Sequence, residues 1–400
     1  MAATEPRDGA ARPLGWLTLA ALALPGVMPQ AAVAEEAPEH GSVAVKYLRY
    51  QDSQSVQTRY PYYDGSEGGS FKRISVEAPA LQLVLPLGRR WLVEASGTVD
   101  RVSGASPRYY SDVSGASRME DRRTAFDAKV TRYFERAAVA VGAARSTEND
   151  YDSNAVSLEG RWSSADNNTV VSIGLGGSND TITPVGGGVL GITEADRKTY
   201  ELMLSVTRAM GRDDLAQISL GYSQGRGYFS DPYKQFDRRP DKRDITTMLL
   251  RWNHHFDEWG TTLRSSYRHY SDSFDVQAHS VELQWVVPLP LKLPLDISVS
   301  PSLRYHTQSA ASFYFDPVTD LAVYPGTLGT PEFSSVDQRL SAFGGITAGL
   351  KLELQFGDWA TSLKLERYEQ RAQWRLGGEG SIGIDPFHAN FVQVGLALRF

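Results

Sequence analysis

A two-residue alternation of apolar and polar side chains constrains this chain most, and it is clearest over residues 391–400. The residues of one parity are apolar: Val392, Val394, Leu396, Leu398 and Phe400. Gln393 and Arg399 occupy the other parity. A period of two is typical of a β-strand with one apolar and one polar face. Segments of the same kind recur from residue 42 onward, so the sequence predicts an all-β protein.

The alternating segments are about sixteen in number. We predict strands near 42–51, 71–87, 91–103, 121–134, 137–147, 153–163, 168–178, 197–209, 215–227, 243–256, 260–271, 275–288, 295–307, 339–356, 359–372 and 387–400. Their connections alternate between tight turns, such as 88–90 and 357–358, and long loops, such as 52–70 and 308–338. This asymmetry is typical of a transmembrane antiparallel β-barrel with short periplasmic turns and long outer loops.

Aromatic residues gather beside the tight turns. The set consists of Trp91, Phe134, Trp162, Trp259, Trp285, Phe356, Trp359 and Phe400. Amphipathic rings favour the boundary between membrane and water, so we interpret the set as a periplasmic girdle. Scattered core packing in a soluble sheet is the alternative, but it gives no reason for indoles to collect at one end.

The first 34 residues resemble a secretory signal peptide. An apolar run covers 14–27, and Ala32-Val33-Ala34 fits a cleavage site. An uncleaved anchor is the weaker alternative, because the run is short and contains Pro25. We therefore predict a single barrel over 35–400 in the bacterial outer membrane. Its partners there would be outer-membrane lipid and lipopolysaccharide, and the barrel-assembly machinery would read the terminal Phe400.

The composition excludes several classes of protein. The chain has no cysteine, so it has neither disulfides nor thiolate chemistry. Its formal net charge of −6 gives no electrostatic footprint for nucleic acid.

The inward parity of the predicted strands is polar and charged. The candidates that would line the lumen are Lys46, Glu94, Asp127, Lys129, Glu159, Arg161, Glu201, Arg264, Glu282, Lys351, Glu353, Lys364 and Glu366. Acids and bases two residues apart share a face, so they can form charge ladders across the wall. Two interpretations stay open: the ladders orient permeating solutes, or they merely satisfy one another in a wet interior.

Two further expectations concern local structure. The longest loop, 308–338, contains Phe313, Tyr314 and Phe315. A loop of this length is usually functional, and we expect it to fold inward and constrict the pore. We also expect a β-bulge near Ala78–Ala80, because residues 74 and 76 differ in parity from the leucines that follow.

Several motifs carry little chemistry. Gly186, Gly188 and Gly191 match a dinucleotide-binding pattern, but they lie in a loop between strands. The run from Asp150 to Asn154 begins like a calcium loop but lacks the required glycine and closing glutamate. A looser divalent site among loop carboxylates, bridging lipopolysaccharide phosphates, remains an alternative.

An outer-membrane hydrolase would need a nucleophile and a base on one face. Ser271-Asp272 follows His269, but the histidine is predicted to face lipid, so the set makes a poor triad. His254 and His255 are adjacent and cannot chelate one metal together. We therefore predict no catalytic residue, cofactor or defined metal site.

The segment Asp100-Arg-Val-Ser-Gly-Ala-Ser-Pro107, at the end of a predicted strand, resembles the signature of an uncharacterised family of bacterial outer-membrane barrels, a domain of unknown function. The motif residues are Asp100, Ser103, Gly104, Ala105, Ser106 and Pro107. The resemblance implies a complete barrel without an assigned activity, and it suggests a periplasmic lipoprotein or redox partner. Without any ligand, Asp100 could also accept hydrogen bonds from the amides that follow it.

The sequence favours a porin-like pore or passive conduit with a polar lumen. The alternative is a structural sleeve or docking partner for an envelope redox or lipoprotein complex, and an outer-membrane hydrolase is third.

Overall fold

The computed structural model describes residues 36–56, 69–105, 118–188, 191–234, 236–291, 294–316 and 332–400. Within these residues the chain forms one closed antiparallel barrel of sixteen strands. Each strand pairs with its neighbours in sequence, and the first pairs with the last. The predicted fold class is confirmed. The predicted signal peptide, 1–34, lies outside the described residues.

The strands follow the alternating segments of the sequence closely. In chain order they are β1 Ser42–Val56, β2 Gly69–Leu87, β3 Trp91–Ala105, β4 Arg118–Tyr133, β5 Ala137–Thr147, β6 Tyr151–Ser163, β7 Thr169–Ile182, β8 Ala195–Ala209, β9 Asp214–Gly227, β10 Lys242–Phe256, β11 Thr261–Asp272, β12 Gln277–Leu289, β13 Asp296–Gln308, β14 Phe343–Phe356, β15 Trp359–Arg371 and β16 Phe387–Arg399.

The two ends of the barrel differ in the length of their connections. At one end, the short-turn end, the connections are 88–90, 134–136, 164–168, 210–213, 257–260, 290–295 and 357–358. At the other, the long-loop end, they are 57–68, 106–117, 148–150, 183–194, 228–241, 273–276, 309–342 and 372–386. The longest connections therefore all leave the barrel on one side.

The outer surface of the barrel is apolar. Residues directly opposite each other on paired strands share a face, and the pair Leu350 and Leu365 shows which side this is, because both point outward and are more than 40% exposed. Val45, Val141 and Leu204 are exposed in the same way on distant strands. An apolar surface of this extent needs a cover other than water. Among the described residues, the structure contains no helix with the length and apolar character needed to cross a membrane.

The bulge predicted near Ala78–Ala80 is wrong. The pairing of β2 with β1 is continuous through those residues, and the register shifts instead opposite Asp52, where β2 carries an extra residue at Arg73–Ile74. No bulge is needed at Ala78–Ala80, because Ile74 and Val76 do not lie on the outer face but point into the barrel. There they pack with Tyr50 in a buried apolar cluster.

The predicted start of the fourteenth strand is also wrong. Residues 338–340 form a short 3-10 helix, and β14 begins at Phe343. Asp337 caps this helix, because its side chain accepts a hydrogen bond of 3.0 Å from the backbone N–H of Arg339. A local cap of this kind competes with strand pairing.

The aromatic residues beside the tight turns lie at the short-turn end. Seven of the eight are classed among the exposed large side chains: Trp91, Phe134, Trp162, Trp259, Phe356, Trp359 and Phe400. The eighth, Trp285, stacks on Phe256 with ring centroids 5.4 Å apart. Rings at this height on the outer surface have the placement expected of an interfacial girdle.

Candidate functional site: the barrel interior and its loop cap

The interior wall carries the charged residues singled out in the sequence. The register places thirteen of them on the interior face: Lys46, Glu94, Asp127, Lys129, Glu159, Arg161, Glu201, Arg264, Glu282, Lys351, Glu353, Lys364 and Glu366. They are spread over nine strands, so the charge surrounds the lumen rather than marking one spot.

Ion pairs run both along and across the strands of this wall. Lys351 pairs with Glu353 at 2.7 Å, and Lys364 pairs with Glu366 at the same distance. Both pairs join residues two apart on one strand. Lys129, by contrast, reaches across to Glu94 of β3 at 2.9 Å. Its neighbour Asp127 instead accepts a hydrogen bond from the Ser96 hydroxyl. The wall is therefore a network of paired charges.

Several of the paired charges of the interior are partly exposed. The side chains of Lys129 and Glu94 are 32% and 28% exposed, although both point inward. Beside them lies a pocket of about 120 Å³ whose lining includes Leu92, Glu159 and Arg161. Space of this size and polarity holds ordered water. The interior wall at β3–β6 therefore has room for water.

One stretch of the interior is apolar and was not predicted. Tyr50, Ile74 and Val76 pack with Ala389 and Phe391 where β1 meets β2 and β16. Above this cluster, Arg73 and Asp52 form a buried ion pair of 2.9 Å. The sequence did contain a signal for this cluster, because these apolar residues have inward parity. We interpreted that parity as evidence of a bulge instead.

The aromatic residues of the longest loop pack against another loop. Phe313 contacts Phe274, which lies in the β11–β12 turn, edge to face with ring centroids 5.0 Å apart. Phe315 is buried, and Tyr314 forms a bridge with Ser335 on the returning limb of the same loop. The Gln308 side chain donates to the carbonyls of Arg339 and Ser341, which holds that limb against the interior face of β13. The described residues at both ends of this loop are thus folded onto the mouth.

Two loops at the long-loop end form one unit, which we call the loop cap: the described residues of 228–241 and 309–342. Arg239 forms a bidentate pair with Asp237 (2.7 Å for each bond) and a further bond of 2.7 Å to Asp337. Asp337 also pairs with Arg339 at 2.5 Å. The Ser335 hydroxyl donates to Asp237, 98 residues away in sequence. The two loops are therefore joined by a buried network.

The loop cap reaches across the barrel mouth. The Tyr233 hydroxyl donates to Asp150 of the β5–β6 turn at 2.5 Å and accepts from the backbone N–H of Val185. The β5–β6 turn, the β9–β10 loop and the β13–β14 loop are each four strands apart in a sixteen-strand barrel. The contacts of loop 228–241 therefore connect nearly opposite sides of the mouth.

The charged side chains of the loop cap stabilise one another. Burial alone would raise the pKa of Asp337, but the guanidinium groups of Arg339 and Arg239 outweigh it and hold that pKa well below its usual value. Burial and the nearby charge of Asp237 raise the pKa of Asp231. Burial lowers the pKa of Lys234. The cap thus depends on ion pairing inside a desolvated site.

Glu148, in the β5–β6 turn, lies in an acidic corner beside the cap. Burial, followed by the charge of Asp121, raises the pKa of Glu148 to about 7. Burial also raises the pKa of Asp150. These three carboxylates form the tightest acidic cluster among the described residues.

Asp100 of the strand-end motif is a structural anchor. It is buried, and its carboxylate binds the guanidinium of Arg123 on β4 at 2.5 and 2.7 Å. Ser103, Gly104 and Ala105 continue β3 to its end. Ser106 and Pro107 lie outside the described residues. Among the described residues, the partner of Asp100 is thus Arg123 on the neighbouring strand.

The rejected motifs stay without a site. Gly186 and Gly188 lie in or beside a three-residue 3-10 helix that leads into β8, not into an α-helix. Ser271 and His269 face outward, whereas Asp272 points inward and pairs with Arg243 at 2.5 Å. The structure does not bring these three side chains together as a triad.

The adjacent histidines also point apart. His254 contacts Asp214 at 2.9 Å on the outer face, and His255 contacts Thr262 on the other. They do not share a metal site.

The short-turn end has its own internal contact. Ala37, which precedes β1, is buried against the inward side chains of Leu92, Tyr133 and Ala138. Its backbone N–H donates to the carbonyl of Arg89 at 3.1 Å. The segment before β1 therefore lies inside the rim of the barrel.

A closed sixteen-strand barrel with an apolar outer surface, a charged interior and long loops at one end defines the class of outer-membrane-type β-barrels. The chain belongs to the family described as "Protein of unknown function (DUF3570)", whose model matches residues 14–195 and 189–391. This membership agrees with the resemblance to an uncharacterised barrel family. No sequence among the curated proteins matches the chain.

Solved structures of outer-membrane proteins are similar in fold. One is described as "Bacterial polysaccharide outer membrane secretin" (8% identity, TM-score 0.49, 89% of this chain and 98% of that chain). OccK2 (OpdF) of Pseudomonas aeruginosa has 10% identity and a TM-score of 0.44, with 90% and 98% covered. The siderophore receptor PirA of Pseudomonas aeruginosa has 9% identity and a TM-score of 0.46. The match covers 88% of this chain and 61% of the receptor. These are similarities of fold alone.

Proposed function

We propose that the protein is a porin-like passive conduit of the bacterial outer membrane for small polar solutes. The observation that carries this proposal is the partial exposure of its interior charges. Lys364 and Glu366 point into the barrel, and their side chains are 24% and 21% exposed. A packed, sealed interior would bury such groups almost completely. A wet, charged lumen can instead replace part of the hydration shell of a passing solute.

The apolar outer surface supports placement in a membrane. Exposed leucines and valines on the outer parity would face hydrocarbon, and the aromatic residues at the short-turn end would lie at one interface. The long-loop end would then face the outside of the cell. An epitope inserted within 106–117 should be labelled on intact cells, and one inserted at 164–168 should be labelled only after the outer membrane is permeabilised. The reverse labelling pattern would contradict this orientation.

The loop cap supports a narrowed outer entrance. Its buried ion pairs hold loops 228–241 and 309–342 together above the lumen, so solutes would pass beside the cap and not through a wide mouth. Interior charges then give the passage its ion preference. This combination of a wet wall and a folded cap favours small solutes over polymers.

Planar-bilayer recording of the purified protein tests the proposal. A conduit should produce stepwise single-channel currents of uniform size that saturate or shift when small polar solutes are added. Continuous absence of current from folded protein would contradict it. Folding is checked by the shift in electrophoretic migration between heated and unheated samples, which barrels of this type show.

A structural sleeve or docking partner for an envelope lipoprotein or redox complex is the second candidate. Two observations favour it: the loop cap covers one mouth, and Ala37 lies inside the rim of the other. A sleeve should give no current, or large ungated openings, until its partner is added. The same recordings therefore separate the two functions.

Assembly of the barrel is a further part of the proposal. We infer that Phe400, which ends the outward apolar row of β16, is read by the barrel-assembly machinery. Deleting Phe400 should reduce the amount of folded barrel in the outer membrane more than it reduces refolding in detergent. Equal losses in both settings would show that the residue acts only through stability.

A further inference from the structure

Three carboxylates from two segments of the chain meet at the long-loop end. Asp121 lies on the interior parity near the start of β4, and Glu148 and Asp150 lie in the three-residue turn between β5 and β6. One oxygen from each lies within 4.8 Å of the other two. Asp150 is 6% exposed, and the other two are partly buried. The spacing is close enough for one ion to contact all three.

The hydrogen bonds of this corner leave one buried oxygen without a donor. The backbone N–H of Arg122 donates to Asp121 at 2.8 Å, and the Tyr233 hydroxyl donates to Oδ2 of Asp150. Oδ1 of Asp150 is buried and accepts no hydrogen bond within the described part of the chain. A buried carboxylate oxygen left without a partner is costly. A cation at the centre of the cluster would satisfy it.

One arginine beside the cluster is paired with another acid. Arg123 binds Asp100 at 2.5 Å. Arg123 lies close enough to favour the ionised form of Glu148, but its guanidinium is held by the buried Asp100. Arg123 is therefore engaged by Asp100 and offsets only part of the charge of the cluster.

We propose that Asp121, Glu148 and Asp150 bind a calcium ion. Hard carboxylate oxygens are the ligands that calcium prefers, and its irregular coordination of six to eight oxygens suits side chains from two separate segments. Magnesium demands a nearly ideal octahedron and usually takes only one or two carboxylates.

The site differs from the calcium loop that the sequence suggested. Asp152 and Asn154 lie on the outward parity of β6, and Asp152 faces Arg145. Only Asp150 of that run reaches the cluster. The remaining ligands come from the turn residue Glu148 and from β4, 29 residues earlier in the chain than Asp150.

Calcium at this position would tie three parts of the mouth together. It would join the start of β4 to the β5–β6 turn, and through the bond from Tyr233 to Asp150 it would hold loop 228–241 in place. The site thus adds a structural link that does not depend on whether the lumen conducts.

Isothermal titration of the folded barrel in detergent, freed of metal with a chelator, tests the proposal. We expect one calcium per chain with a dissociation constant of about 10⁻⁴–10⁻³ M, the range of extracellular calcium modules. Asp150→Asn and Glu148→Gln should each weaken binding roughly ten-fold or more. Asp152→Asn, on the same hairpin but outside the cluster, should leave it unchanged.

Three outcomes would overturn the proposal. The first is no saturable binding of calcium to wild-type protein at about 10 mM. The second is an equal loss in Asp152→Asn, and the third is magnesium binding as tight as calcium binding. Electrophoretic migration confirms that each variant is folded. If Asp150→Asn fails to fold, Glu148→Gln decides the matter, because that side chain is only partly buried.

Discussion

Gly41 and Phe400 exchange two backbone hydrogen bonds, of 2.9 and 3.0 Å, and so extend the seam where β1 meets β16. A Cβ on Gly41 would lie 2.7 Å from the Phe400 ring. The seam closes the barrel, and a closed barrel leaves no unpaired strand edge. The contact between these two residues therefore bears on the folding of the whole molecule.

Gly41→Ala should destabilise the barrel, because the added methyl group overlaps the Phe400 ring. Overpacking of a core costs about 1–3 kcal/mol, and we expect the lower end of that range because the Phe400 ring is 57% exposed and can turn aside. Urea titration of refolded protein, followed by electrophoretic migration, measures the loss. Gly97→Ala is the matched control, because a Cβ there meets only ordinary van der Waals contact, 3.9 Å from a backbone oxygen. Equal stability of the two variants would refute the packing argument.

Arg239→Ala should release the loop cap. The change leaves the buried Asp237 without its bidentate partner, and breaking a buried pair of this kind costs about 3–5 kcal/mol. We expect larger and noisier single-channel currents than in the wild type. Arg238→Ala is the control, because Arg238 joins the cap through its backbone, with bonds of 2.8 and 2.9 Å to Ser334. Unchanged currents in Arg239→Ala would show that the cap does not narrow the entrance.

The loop cap should open in acid, and Asp337 should account for part of the change. Because its pKa is lower in the folded cap than in the unfolded chain, its ionisation stabilises the cap fully above pH of about 4. That contribution is lost as the pH falls further. Conductance should therefore rise as the pH falls below roughly 3. In Asp337→Asn the rise in acid should be smaller. An identical acid response in the variant would exclude Asp337 as its source.

Lys364→Glu should shift the ion preference of the lumen toward cations. The change replaces an inward base with an acid and destroys its pair with Glu366. The reversal potential in a salt gradient measures the shift. Arg367→Glu carries the same charge change on the same strand, but Arg367 faces outward and is half exposed. Equal shifts in the two variants would contradict an interior conduction path.

Much of the barrel could be predicted from the sequence, because the alternation of adjacent residues shows the two faces of a strand. The limits of the fifth strand, Ala137–Thr147, were predicted to the residue, and the inward parity of Lys364 followed from its outward neighbours Leu363 and Leu365. In a regular barrel strand, parity decides which residues face the interior, so this assignment does not depend on distant contacts.

The assignment of faces from the sequence was wrong where apolar residues point into the barrel. Ile74 and Val76 looked out of register, because apolar side chains were expected to face outward. Their partners, Tyr50 on β1 and Phe391 on β16, come from the two strands that meet at the seam. Their cluster exists only once β1 and β16 have closed the cylinder.

The loop contacts could not be read from the sequence either. Tyr233 and Asp150 are 83 residues apart, and Asp237 and Ser335 are 98 apart. Loops have no periodicity to register them against one another. Their pairing depends on which strands happen to stand opposite across the mouth.

By itself, the sequence determined the all-β class, a count of about sixteen strands and the side of the wall to which most strand residues belong. Alternation is a property of adjacent residues, so it survives without a fold. Only the tertiary structure decided the loop cap and the meeting of Asp121, Glu148 and Asp150. Barrel closure sets the distances between separate loops, and charges of that kind interact strongly only when closure has brought them together and excluded water.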